Sequence, residues 1–119
     1  MPSRSVTPGK TTVAPEVLLD IVRLETEKVP GVHTLAPIPG MFNRLLRRGK
    51  EGVHLSVEGE VVDVDIYVIL EHDVNLRQVS REIQKAVARA LERLVGLTVG
   101  RVNVHIEDIY YPEVTEDAS

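Results

Sequence analysis

The hydrophobic pattern along the chain switches between helical and strand spacing, and each switch marks an element. Between Glu16 and Val29, Val17, Leu18, Ile21, Leu24 and Lys28 recur at helical spacing. Pro15 sits at a first helical position, Glu16 and Asp20 lie near the positive end of the helix dipole, and Pro30-Gly31 stops the run. Val53, Leu55 and Val57 then alternate with polar residues up to a Glu58-Gly59-Glu60 turn, and Val62, Val64, Ile66, Val68 and Leu70 alternate after it. This is the signature of a β-hairpin with one buried face. Asn75 with Gln78 three residues on is a capping-box pattern. Behind it Leu76, Val79, Ile83, Ala86, Val87, Ala90, Leu91 and Leu94 form one apolar stripe, a helix of about twenty residues closed by Gly96. Within Leu97 to Tyr111, Val102, Val104 and Ile106 alternate with Arg101, Asn103, His105 and Glu107, which predicts a further strand.

The remaining segments are weaker. Lys10 to Ala14 is a short β-prone stretch, and Gly31 to Gly52 reads as an irregular middle in which Met41 to Arg48 makes two helical turns. Residues 1–9 and 113–119 read as tails, the second acidic, leaving 10–112 as one domain. Two amphipathic helices with strictly alternating strands predict an α+β, two-layer sandwich, with both helices on one face of a small mixed β-sheet. The second face is then open, carrying His54, Ser56, Asp63, Asp65, Tyr67 and Ile69 from the hairpin with Arg101, Asn103, His105 and Glu107 from the last strand.

Composition narrows the function classes. A chain of 119 residues with 43% hydrophobic and 27% charged residues can bury a core of its own. It has no cysteine, so thiol chemistry, iron–sulfur ligation and Cys-type zinc sites are excluded. Aromatic content of 3%, the absence of Trp and a net charge of −4 argue against nucleic acid as a partner. No apolar run is long enough to span a membrane, and MPSRSVTPGK has no h-region behind its basic residue, so the expected location is cytoplasmic.

The charges are unevenly distributed. Arg77, Arg81, Lys85, Arg89 and Arg93 recur every four residues along the long helix, and Arg44, Arg47, Arg48 and Lys50 form a second basic cluster. Glu58, Glu60, Asp63, Asp65, Glu71 and Asp73 gather on the hairpin, which predicts a basic helix side and an acidic sheet side. Asp63 and Asp65 with His54 or His105 offer the elements of a metal or acid–base cluster, set against their reading as solvated cross-strand partners. Gly49-Lys50-Glu51-Gly52 matches the GxxG loop of KH domains, but it leads into a strand rather than joining helices. Phe42, Leu45 and Leu46 either plug the core or touch an anionic membrane surface. No serine lies in a nucleophile elbow and no phosphate-binding loop is present, so no catalytic residue, metal, cofactor or small-molecule substrate is assigned.

Three stretches, TVAPEVLLDIV, VDVDIYVILEHDVNLRQVSREIQKAV and VGRVNVHIEDIYYP, together resemble the alkaline shock protein family of bacterial envelope stress response proteins. The resemblance spans about Thr11 to Pro112. It implies a non-enzymatic, cytoplasmic protein of cell-envelope homeostasis, working as a protein–protein interaction module, peripheral at the membrane where a membrane-anchored relative holds it. Partners expected on this reading are another copy, that relative, or an anionic membrane surface. The residues expected to meet them are Arg44, Arg47, Arg48, Arg77, Arg81, Lys85 and Arg89, with Tyr67 and Ile69 on the open sheet face. The alternative from another class is a KH-like RNA-binding module.

Overall fold

The computed structural model describes residues 8–39, 49–50 and 52–113. Its elements in chain order are α1 (Pro15–Glu27), β1 (Val32–Leu35), β2 (Gly49–Lys50), β3 (Val53–Glu58), β4 (Val61–Glu71), α2 (Leu76–Ala90), a π-helical turn (Leu91–Val95) and β5 (Thr98–Tyr110). β4 is the axis of the sheet. On one side β3 pairs antiparallel with its first half, Val61 to Ile66, and β1 pairs antiparallel with Val68 to Leu70. On the other side β5 runs parallel to β4 along nearly its whole length. β2 closes the β3 edge through Gly49 opposite His54 and Lys50 opposite Val53. The sheet is therefore mixed, and α2 is the crossover that a parallel β4–β5 pair requires.

β3 and β1 meet end to end at Tyr67. Its N–H donates to the Gly52 carbonyl and its carbonyl accepts from the Ala36 N–H, both at 2.8 Å. Gly52 has φ +84°, and a Cβ there would stand 2.5 Å from the Ala36 carbonyl oxygen. Only glycine fits this junction.

Both helices cover the same face of the sheet. Val62, Val64, Ile66, Val68 and Leu70 are all 0% exposed, packed beneath Ile83, Val87 and Leu91 from the α2 side and Leu18, Leu19 and Val22 from α1. Asn75 caps α2 by accepting from the Gln78 N–H at 3.0 Å; the Gln78 side chain turns instead to Glu82. After the π turn, Gly96 takes φ +80° and its N–H donates to the Leu91 and Glu92 carbonyls, ending the helix where the apolar stripe ends.

Three local expectations change. The buried stripe of α1 is Leu18, Leu19, Val22 and Thr26, whereas Val17 and Leu24 are 47% and 49% exposed. Apolar residues occupy more than one side of this helix, so period alone does not choose the inward face. Thr26 is tolerated there because its hydroxyl donates to the Val22 carbonyl at 2.7 Å within the helix. The middle segment holds β1 and β2 rather than only irregular chain, and Lys10 to Ala14 is not a strand. Met41 to Arg48, with Arg44, Arg47 and Arg48, lies outside the described residues.

Candidate interaction surfaces

The sheet face turned away from the helices is the open face anticipated from the alternation. At its centre is Asp65. Its Oδ1 accepts from Nε2 of His105 at 2.9 Å and from the Asn103 amide at 3.2 Å, and its Oδ2 stands 3.9 Å from Nδ1 of His54. The strands dictate this grouping: His54 is opposite Asp65 on β3 and Asn103 is opposite it on β5. Burial alone would raise the Asp65 carboxyl. The hydrogen bonds from His105 and Asn103, helped by positive charge on the two histidines, more than offset that and hold it below its ordinary 3.8.

Tyr67 lies beside the cluster, its ring stacked on His105 with centroids 4.4 Å apart. Its phenol is raised above 10.0 by burial and by the negative charges of Asp65 and Glu107. Ile69 is half-buried on the same face. Asp63 does not join the cluster: its Oδ1 accepts from the Arg101 N–H at 2.9 Å, at a bulge where Gly100 leaves room for that carboxylate. Among the described residues no three acidic or imidazole side chains converge as metal ligands would. The cluster is a cross-strand network on an open surface.

A second grouping at the end of the sheet is not legible in the sequence. His33 on β1 stacks on Tyr110 of β5 at 3.8 Å, and its Nδ1 is 3.0 Å from Oε2 of Glu71. The signal is hidden because no local pattern marks β1, and without β1 there is nothing to bring His33 to Tyr110.

The α2 cations lie on the opposite layer from Tyr67 and Ile69, so the structure separates the predicted residues into two surfaces. Arg77, Arg81, Lys85, Arg89 and Arg93 are all exposed, and among the described residues none has an ion-pair partner. α1 differs: Arg23 pairs with Asp20 at 3.3 Å and Glu27 at 3.8 Å, and Lys28 with Glu25 at 3.2 Å. The acidic sheet side is held in hydrogen bonds: Asp63 accepts from the Arg101 backbone N–H, and Asp65 from the Asn103 amide and the His105 ring.

A recess of about 590 Å³ opens at the end of the sheet between α1, β3 and the π turn. Its walls include Val13, Leu18, Leu55, Val57, Val95 and Leu97 and carry no titratable side chain. Gly49 and Lys50 form β2 and Gly52 directly precedes β3, so the helix–GxxG–helix setting of a KH domain is not formed. Among the described residues no helix is long and apolar enough to cross a membrane.

The family model of the alkaline shock proteins, described by a "cell envelope-related function", matches residues 4–111. The uncharacterized protein Spy1535 of Streptococcus pyogenes serotype M6 is 36% identical over 104 residues, covering 85% of this chain and 79% of that one. The uncharacterized protein YqhY of Bacillus subtilis is 25% identical over 107 residues, covering 87% and 78%. Among solved structures, the fold is similar to the zinc form of the MamM CTD D249N variant, with TM-score 0.51 and 16% identity over 84% of this chain and 91% of that one.

Proposed function

Because the chain belongs to the alkaline shock protein family of cell-envelope-related proteins, we propose that it acts in envelope homeostasis and stress response by binding rather than by turnover. The partner is a protein with an acidic surface, such as a membrane-anchored relative that would hold the chain at the membrane periphery. One observation carries this reading: the row along α2 and the π turn presents five exposed cations, Arg77, Arg81, Lys85, Arg89 and Arg93, that form no ion pair among the described residues. Like charges spaced four apart destabilise a helix slightly, so the row has a cost to the isolated fold that an acidic partner would remove. The recess without titratable groups and the cluster held in cross-strand hydrogen bonds support binding over catalysis. Arg44, Arg47 and Arg48 would extend the same basic character.

The test compares the wild-type chain with an Arg81→Glu, Lys85→Glu, Arg89→Glu variant, both tagged and purified from the native cell at low and high salt. The expected result is an acidic protein that copurifies with wild type, is released by salt and is absent from the variant. Identical protein sets from both would overturn the reading. Binding of purified wild type to anionic vesicles, with no protein partner captured, would replace the protein by a membrane surface. Retention of RNA lost on Lys50→Glu would favour the nucleic-acid alternative.

A further inference from the structure

β5 is a 13-residue strand at the edge of the sheet, with no strand on its outer side among the described residues. Natural edges are usually short, or guarded by proline or inward-pointing charge. This one has no proline, and its inward residues Val102, Val104 and Ile106 are apolar. They are only half-buried, whereas their partners on β4, Val64, Ile66 and Val68, are fully buried. The core is complete on the β4 side and unfinished along β5.

The geometry of that edge is specific. The register of β5 against β4 shifts twice, opposite Val62/Val64 and opposite Val68/Ile69, so bulges bracket a regular stretch around Val104. The Tyr110 carbonyl accepts from the His72 N–H, so the backbone groups of Tyr110 face β4; counting back through the bulge, the backbone N–H and carbonyl groups of Val102, Val104 and Ile106 face away from β4. The Gln84 amide agrees, reaching round the edge from α2 to donate to the Val102 carbonyl at 3.0 Å. The backbone groups of Val102, Val104 and Ile106 therefore line the free edge.

We propose that β5 pairs with β5 of a second copy of this chain, antiparallel about a two-fold axis at Val104. In that register Val104 faces its own copy, Val102 faces Ile106, and each of these residues exchanges its N–H and carbonyl with the partner strand. The Val102 carbonyl keeps Gln84, since it has a second lone pair. On the open face Arg101 comes opposite Glu107 and Asn103 opposite His105, each pairing occurring twice. Centring the axis on Asn103 would set Arg101 against His105. Centring it on His105 would set Glu107 against Asn103. The ion pairs form only with Val104 on the axis, so charge selects the register as well as the partner. The two half-covered edges then continue one sheet and one helix layer. Arg77 and Arg81, which line the groove beside Ile106, flank the seam with like charge, a repulsion that an acidic partner on α2 would relieve. The inference goes beyond the proposed docking of α2 and uses different residues, so either can fail alone.

Sedimentation equilibrium of the purified chain tests it, with circular dichroism of each variant to report folding. Wild type is expected to dimerise reversibly. Val104→Pro removes an outward N–H and no bond to β4, so it should stay folded and monomeric. Arg101→Glu and Glu107→Arg should each weaken the dimer about tenfold or more, because each places like charges opposite one another twice. The double variant, with the charges exchanged, should recover to within about threefold of wild type. A chain that remains monomeric at high concentration would overturn the proposal. So would a dimer indifferent to both single reversals, or a double variant no better than either.

Discussion

Nε2 of His105 lies 2.9 Å from Oδ1 of Asp65, although the two residues are 40 positions apart in the chain. The parallel pairing of β4 with β5 brings them together, and the resulting hydrogen bonds hold the Asp65 carboxyl below its ordinary value. A depressed folded-state pKa contributes stability that is complete above the unfolded value and is lost as pH falls through the folded one. The melting temperature of wild type should therefore fall more steeply between about pH 5 and pH 3 than that of Asp65→Asn. Equal acid slopes would show that Asp65 contributes nothing to acid sensitivity.

The junction of β3 with β1 should tolerate no side chain at Gly52. In Gly52→Ala the new Cβ would stand 2.5 Å from the Ala36 carbonyl oxygen and 2.9 Å from that of Tyr67, at φ +84°. Backbone on both sides cannot yield cheaply. We expect a loss of about 3 kcal/mol, read as a melting temperature lowered by roughly 10–20 °C. Gly59 has φ +63° but open space around its Cβ position, so Gly59→Ala should cost clearly less.

Ile83 on α2 is fully buried in the core cluster beneath which the β4 valines pack. Truncation to alanine leaves a cavity among residues held by two helices and a sheet. Ile83→Ala should cost about 2–5 kcal/mol in denaturant unfolding, against a smaller effect for Leu94→Ala, whose side chain is 69% exposed.

Asn75 satisfies one of the free N–H groups at the start of α2 through its side chain. Asn75→Ala should cost about 1 kcal/mol, and Asn75→Asp should recover most of it, since a carboxylate also accepts this bond. Chemical denaturation of the three proteins checks both expectations.

Much of the architecture is legible because its signals are local. The β4 alternation from Val62 to Leu70, the Asn75 cap and the Gly96 stop lie in the structure as the spacing predicts, and so does the long apolar stripe from Val79 to Leu91, although its expected end members Leu76 and Leu94 are exposed. β1 is not legible. It is four residues long, contains His33 and Thr34, and shows no alternation in burial. It exists because β4, at 11 residues, outruns the six of β3 and leaves Val68 to Leu70 free to pair. The inward face of α1 escapes the periodicity for a related reason: Val17 and Leu24 fit the helical period as well as Leu19 and Val22 do, and only the docked position of the helix decides between them.

The sequence by itself determined the α+β class, the helix layer, the open polar face and the cation row on α2. Each depends on periodicity or on charge spacing within one element, and such spacing carries over directly into a face. The tertiary structure alone decided which residues meet. Asp65 finds His105, His33 finds Tyr110, and among the described residues β5 is left with an unpaired edge, because strand order and register are set by the competition of whole strands for β4. That competition is non-local, and no window of sequence contains it.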